Sequence, residues 1–216
     1  NSLDFYNRLN FKVIPSSNSN FVTDGKAIVE INPSQSARAG LKCFKADWDT
    51  EIKELEKQTA IIPIENGHLL SSPNNVKIYL MNGSAEIDFT PEEASFGMTG
   101  NFMGLSLETT DMSQTNDFWQ ILGYQKTYGD PEQGWMSFSN GSSIGISIMN
   151  TLSCPHLFFN PSMTYFNGKN NLDVIKNIRE AGIPITQEIT HFNKEGIVDN
   201  IIIRDPGGYG FFLFSD

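Results

Sequence analysis

The segment Gly104-Leu105-Ser106-Leu107-Glu108, which precedes Asp111 and a helical pattern, is a weak copy of an earlier segment. The earlier segment is Gly40-Leu41-Lys42-Cys43-Phe44, and it precedes Asp47 and another helical pattern. Further out, two more pairs of stretches echo each other: residues 3–11 with 116–124, and residues 72–80 with 205–213. Such internal repetition indicates stacked copies of one supersecondary unit. The sequence therefore predicts a fold assembled from modules.

Each predicted module contains a strand, a helix and about three further strands, and four such modules fill the chain. The first two occupy residues 1–82, the last two occupy residues 101–216, and residues 83–100 form a linker with little periodicity. We therefore expect an α+β fold with four βαβββ modules in two pseudo-symmetric halves. Its mixed, curved sheets should form U-shaped clefts, with the helices outside. The chain opens in helix-forming sequence, so we expect the first strand of the first module upstream of Asn1.

Apolar residues alternate along the predicted strands, which places one face of each strand under the helices. In the second half these core positions include Met103, Leu105, Leu107, Ile146 and Ile148. The opposite faces carry glycines, serines and a few aromatic residues instead. A curved sheet with a concave face of this composition is shaped to hold a ligand.

Composition excludes two classes of partner. The net charge is −10 and there is no basic run, so neither nucleic acid nor an anionic membrane is expected to bind. No apolar stretch approaches the roughly 20 residues that span a bilayer. The chain has only two cysteines, Cys43 and Cys154, which is compatible with a reducing cytoplasm. We expect a cytoplasmic protein, either a monomer or a homodimer, whose partner is a small organic molecule.

Four modules of this kind make the chain resemble the vicinal oxygen chelate superfamily. Two motifs contribute: Phe118-Trp119 on the helix before Leu122-Gly123, and the late Asp205-Pro206-Gly207-Gly208. The superfamily includes glyoxalase I, extradiol dioxygenases, methylmalonyl-CoA epimerase and bleomycin-resistance proteins. The resemblance covers essentially the whole chain and implies that paired modules wrap a U-shaped cavity.

The resemblance also implies where a metal would bind, because enzymes of the superfamily usually hold a divalent ion at the cavity floor through His, Gln or Glu. In the second half the corresponding positions fall on Gly104, Met163 and Phe212. In the second module they fall on Gly40 and Tyr79. These side chains are poor ligands for a hard divalent ion. We therefore expect no metal and no cofactor.

The histidines support that expectation. His68, His156 and His191 are the only three in the chain, and each is predicted in a loop or hairpin outside the metal positions. His68 follows the turn signal Asn66-Gly67 and is expected to be exposed. His191 could overhang the mouth of a cavity.

Alternation along the strands identifies candidate ligand-binding residues in both halves. In the second half these are Ser106, Glu108, Trp135, Ser147, Met149, Tyr165 and Phe212. In the first half, Lys42 and Tyr79 are expected to face a cavity together with Glu30, either to bind an anion or to form a structural ion pair.

Three functions remain open at this point. The first is a protein without the usual metal site that binds a small, partly aromatic or apolar molecule in a cleft, as bleomycin-resistance proteins do. The second is a metal-dependent lyase, isomerase or dioxygenase that uses non-standard ligands, with Glu108, Glu30 or His191 as catalytic candidates. The third is a structural or interaction module whose cavities are filled.

Overall fold

The computed structural model describes residues 2–16, 20–85, 87–141, 144–154, 161–191 and 193–215. Two short 3-10 turns, Pro131–Gln133 and Gly168–Asn170, accompany the helices and strands. The helices and strands follow in the order α1 (Ser2–Arg8), β1 (Lys12–Ile14), β2 (Asn20–Thr23), β3 (Ile28–Ile31), β4 (Gly40–Lys45), α2 (Asp49–Leu55), β5 (Ile62–Ile64), β6 (Gly67–Ser71), β7 (Lys77–Asn82), β8 (Phe102–Thr109), α3 (Met112–Ile121), β9 (Gln125–Asp130), β10 (Trp135–Ser139), β11 (Gly145–Asn150), β12 (Ser162–Phe166), α4 (Asn171–Glu180), β13 (Ile185–Ile189), β14 (Asn200–Arg204) and β15 (Gly210–Phe214).

The second half is built on one eight-stranded sheet with the order β13-β14-β15-β12-β8-β11-β10-β9. Strand β8 pairs in parallel with β11, and β12 pairs in parallel with β15, so each of these pairs joins the first and last strands of one module. The two modules meet where β8 runs antiparallel to β12 at the centre of the sheet. The α+β class, with curved mixed sheets assembled from modules, is thus confirmed.

The first half contains two smaller sheets, β1-β2-β3 and β4-β7-β6-β5. The parallel pair β4–β7 repeats the register of β8–β11: Lys42 lies opposite Tyr79 just as Ser106 lies opposite Ser147. The sequence repeat therefore corresponds to a repeat in strand pairing. Within the described part of the chain, no helix is long and apolar enough to cross a bilayer.

Helix α3 covers the convex face of the sheet and ties the two halves together. Its N-terminus is capped by Asp111, whose Oδ1 accepts a hydrogen bond from the backbone N–H of Gln114 at 2.9 Å. Trp119 is fully buried, and its Nε1 donates to Oδ1 of Asn74 at 3.2 Å. The side chain of Asn74 in turn donates to the backbone oxygen of Glu108 at 2.9 Å.

Helix α1 packs against the fourth module, at the opposite end of the chain. The ring of Phe5 meets that of Phe211 edge to face, with centroids 5.9 Å apart. The hydroxyl of Tyr6 donates to Oδ2 of Asp205 at 2.9 Å, and burial together with that carboxylate raises the pKa of Tyr6 well above its usual value. The first helix and the last module thus share one core.

A β-bulge at the junction of β8 and β12 decides which residues of β8 face the concave side. Thr164 pairs with Gly104 and Tyr165 pairs with Phe102, so Met103 has no partner on β12. The prediction that Met103 packs in the core is therefore wrong, because the extra residue reverses the alternation at this point. Phe102 is buried instead, whereas Met103 is 52% exposed.

Glycine is required at the bulge. Gly104 has φ +132°, and a Cβ atom there would lie 2.1 Å from the backbone oxygen of Gly145 on β11. Neither the backbone conformation nor the space between β8 and β11 accepts a side chain.

Substitution of Gly104 should lower the stability of the folded protein. We expect Gly104→Ala to lower the free energy of unfolding by about 3 kcal/mol or more, because backbone strain and a clash with a strand backbone add together. The matched control is Gly123→Ala, where φ is +86° but nothing lies within 4 Å of the added Cβ. Gly123→Ala should lower the free energy of unfolding by about 1 to 2 kcal/mol, because only the strain of the left-handed backbone conformation applies there. Urea unfolding measures both, and equal losses would contradict the clash.

A second prediction concerns Asp24, which is fully buried in the turn after β2. Burial raises its pKa above the ordinary 3.8, against the opposing effect of hydrogen bonds from the backbone N–H groups of Lys26 and Ala27. As pH rises from about 3.8, the unfolded chain ionises before the folded protein. The folded protein should therefore lose stability relative to Asp24→Asn until the raised pKa is passed, and then level off.

Urea unfolding of wild type and Asp24→Asn between about pH 4 and pH 7 would test this expectation. The control Asp117→Asn makes the same chemical change on the exposed surface of α3 and so measures the effect of losing one negative charge. A constant difference between wild type and Asp24→Asn across the range would contradict the prediction.

Candidate functional site

The concave face of the eight-stranded sheet encloses a cavity of about 550 Å³, a volume typical of small-molecule sites. Its floor crosses the central strands, and aromatic residues form both arms of the U. Gly104 lies at the middle of the floor. The described lining residues are Met103, Gly104, Leu105, Ser106, Trp135, Ser137, Ser147, Ile148, Met149, Cys154, Thr164, Phe166, Asn200, Phe212 and Phe214.

A row of hydroxyl groups runs across the cavity floor. Ser137 on β10 pairs with Ser147 on β11, which pairs with Ser106 on β8. Oγ of Ser106 lies 2.6 Å from Oγ1 of Thr164 on β12, and the two form a hydrogen bond. Oγ of Ser137 and Oγ of Ser147 are farther apart, at 3.4 Å. Four neighbouring strands thus contribute one small polar side chain each.

Aromatic and thioether side chains form the walls. On one arm the rings of Phe212 and Phe214 stack with centroids 5.2 Å apart and planes at 18°. Phe166 adjoins Phe214 on the same arm. On the other arm are Trp135 and Met149. Trp135 and Phe166 remain 46% and 39% exposed, so the walls present uncovered apolar surface to the cavity and to solvent.

The alternation of β12 differs from the sequence-based prediction. Thr164 pairs with Phe212, and paired residues share a face of the sheet, so even-numbered residues of β12 face the cavity. Tyr165 was expected among the ligand-binding residues, but it is fully buried in the core and stacks on Phe211. Met163 is buried as well, so the position assigned to a metal ligand on this strand is taken by Thr164.

Five of the predicted ligand-binding residues lie on the cavity: Ser106, Trp135, Ser147, Met149 and Phe212. Glu108 lies farther along β8 and is absent from the described lining; its Oε1 accepts a hydrogen bond from the backbone N–H of Leu152 at 3.3 Å.

The candidates of the first half lie elsewhere and contact other protein groups. Lys42 forms an ion pair with Glu30, which joins β4 to β3. The hydroxyl of Tyr79 donates to the backbone oxygen of Arg38 at 2.9 Å and accepts from its N–H at 3.1 Å. Of the two outcomes considered for Lys42, the structure contains the ion pair.

The histidines do not converge on the cavity in the described structure. His191 is exposed in the turn after β13, outside the described lining. His68 was expected to be an exposed turn residue, but it lies half-buried in β6 opposite Leu80. His156 lies outside the described residues.

Several lining residues were missed by sequence reasoning, notably Thr164, Phe166 and Phe214. Each lies two residues from another cavity position, on β12 or β15, so correct assignment of one residue per strand would have identified its neighbours. Asn200 and Cys154 come from a neighbouring strand and a loop, and no local sequence pattern signals them.

The residues that occupy the metal positions of this fold do not fit a divalent ion. At the floor these positions carry Gly104, which has no side chain, and the phenyl ring of Phe212. The third position carries Thr164, whose hydroxyl is already bonded to that of Ser106. A divalent ion requires carboxylate, imidazole or thiolate ligands in a converging set. Among the described residues, no three His, Cys, Asp or Glu side chains group closely enough to hold a metal.

Solved structures with the same architecture are extradiol dioxygenases. Homoprotocatechuate 2,3-dioxygenase from Arthrobacter globiformis matches 100% of this chain and 75% of its own, with 11% identity and a TM-score of 0.60. The 2,3-dioxygenase LapB from Pseudomonas sp. KL28 matches 98% and 85%, with 12% identity and a TM-score of 0.56. The halotolerant catechol dioxygenase BphC matches 98% and 81%, with 9% identity and a TM-score of 0.54.

No protein-family model matches the chain, and no curated protein does. Identity this low carries information about architecture alone. The chain has the vicinal oxygen chelate fold of the extradiol dioxygenases.

Proposed function

We propose that the protein binds a small, partly aromatic or apolar organic molecule in the cavity of its second half, without the metal ion used by enzymes of this fold. The observation that carries the proposal is the floor itself. Where metal ligands would converge, Gly104 has no side chain and Phe212 presents a phenyl ring. The hydroxyl of Thr164 at the third position bonds to that of Ser106 at 2.6 Å.

The walls support a ligand with a ring system. Rings of Phe212 and Phe214 offer a stacked aromatic surface, and Trp135 supplies a second one on the other arm. Aromatic pairs contribute about 0.5–1.5 kcal/mol beyond the burial of area. The similar solved structures are named as dioxygenases of catechol and homoprotocatechuate, which are themselves aromatic molecules.

Two other functions receive less support. A filled module does not agree with a volume of about 550 Å³ lined by exposed apolar groups. A metal-dependent lyase, isomerase or dioxygenase with unusual ligands would need Glu108, Glu30 or His191 at the cavity. Glu30 instead pairs with Lys42, and none of the three is among the described lining residues.

The proposal also covers the compartment, the oligomeric state and the partners of the protein. A cytoplasmic protein, as a monomer or homodimer, would bind its ligand there without nucleic acid or membrane as a partner. The net charge of −10 and the presence of only two cysteines, Cys43 and Cys154, support this setting.

Ligand binding is tested by a thermal-shift screen of neutral, anionic and cationic ring compounds, followed by calorimetry on those that raise Tm. We expect Phe212→Ala to weaken the best compound about tenfold, because it removes a stacking wall. Phe44→Ala is the matched control, since Phe44 is a partly exposed aromatic residue on β4, outside the described lining. Equal effects of the two variants would contradict the location, and a silent screen would contradict the function.

The metal-free floor has a separate test. Elemental analysis of protein produced in medium supplemented with iron, manganese, zinc and nickel should give far less than one bound ion per chain, because hydroxyl and phenyl groups bind these ions weakly. A stoichiometric ion that is lost in Thr164→Val would overturn the proposal. An ion retained in that variant would lie elsewhere and leave the floor as described.

A further inference from the structure

The described lining of the cavity contains very little charge. Cys154 is its only ionisable side chain, and the remaining polar side chains are three serines, a threonine, an asparagine and Trp135 with its indole N–H. Glu108, the carboxylate on strand β8 of the cavity floor, accepts a hydrogen bond from the backbone N–H of Leu152. A charged ligand would lose its hydration without gaining a counter-charge, and that exchange is unfavourable.

Ser106 and Thr164 leave one hydrogen-bond donor available toward the cavity. Each hydroxyl has one O–H donor, and their mutual hydrogen bond uses only one of the two. If Ser106 donates, the one acceptor left for the O–H of Thr164 among the described residues is the backbone oxygen of Ser162, at 3.5 Å, the outer limit for a hydrogen bond. If Thr164 donates to Ser106 instead, it is the O–H of Ser106 that remains. Both residues line the cavity, so a ligand oxygen can accept the remaining hydrogen.

We propose that the cavity selects an uncharged, ring-containing ligand that packs against Phe212 and Trp135 and places a carbonyl or hydroxyl oxygen on the Ser106–Thr164 hydroxyl pair. This inference rests on the proposed function and adds two properties to it: the charge of the ligand and the atom that anchors it. The hydroxyl pair thus takes the orienting role at the floor. The net charge of −10 further disfavours an anion.

Four naphthalene probes of nearly equal size separate these properties. They are 2-naphthamide, which is neutral with a carbonyl; 2-naphthoate, an anion; 2-naphthylmethylammonium, a cation; and naphthalene, which has no acceptor. Calorimetry near neutral pH should give 2-naphthamide an affinity about tenfold above that of either ion, because only the ions pay for uncompensated desolvation. Naphthalene should bind more weakly than the amide by about fivefold, the worth of one hydrogen bond.

Variants of the hydroxyl pair test the anchor. The double variant Ser106→Ala/Thr164→Val removes both O–H donors, whereas each single variant keeps one. The double variant should lower the affinity for 2-naphthamide about fivefold and leave that for naphthalene unchanged, which also shows that the cavity is intact. Thr127→Val is the control: it makes the same chemical change on β9 of the same sheet, outside the described lining, where the Thr127 hydroxyl donates to the backbone of Ser137.

Each outcome decides something. Tighter binding of the anion or the cation would overturn the selection for an uncharged ligand while the proposed function stands. An unchanged amide affinity in the double variant, or an equal loss of amide and naphthalene affinity, would overturn the anchor. If none of the four probes binds, this inference falls, whereas the proposed function is decided separately by the broad thermal-shift screen.

Discussion

The close approach of two strand backbones at Gly104 and Gly145 is the constraint on which the site depends. With no Cβ at position 104, β8 lies against β11 and adds one extra residue opposite β12. That extra residue turns Met103 toward the concave face and Phe102 into the core. The position of the cavity floor, its depth and the residues that line it all follow from this arrangement of three strands.

The modular fold could be predicted from sequence because its signals are local and repeated. The cap at Asp111, the glycine end at Gly123 and the alternation of β11 each indicate the correct element without reference to the rest of the chain. The orientation of β12 could not be predicted in this way. Ser162-Met163-Thr164-Tyr165-Phe166 has large side chains at odd and even positions, so alternation fits either face. Which face of β12 points to the cavity is decided by its pairing with β15 and by the bulge on β8. Gly104 within a strand was a signal of a bulge, but not of its direction.

The two halves use the same strand register for different purposes. Lys42 and Tyr79 in the first half occupy the places of Ser106 and Ser147 in the second. In the first half these long side chains reach Glu30 and the loop at Arg38. In the second half the short hydroxyl side chains leave the corresponding volume to the cavity. Divergence between repeats has therefore occurred on the concave face, whereas the pairing of strands beneath it is retained.

The contact between α1 and the fourth module affects how the protein is made. Phe5 and Tyr6 pack on Phe211, and the hydroxyl of Tyr6 donates to Asp205, about two hundred positions later in the chain. During synthesis, Phe5 and Tyr6 cannot pack on Phe211 until β15 has left the ribosome. Contacts between residues so far apart in sequence slow folding. They also lengthen the time during which the nascent chain exposes apolar surface that can aggregate. A chaperone that shields α1 during synthesis would thus protect its aromatic face until the fourth module is complete.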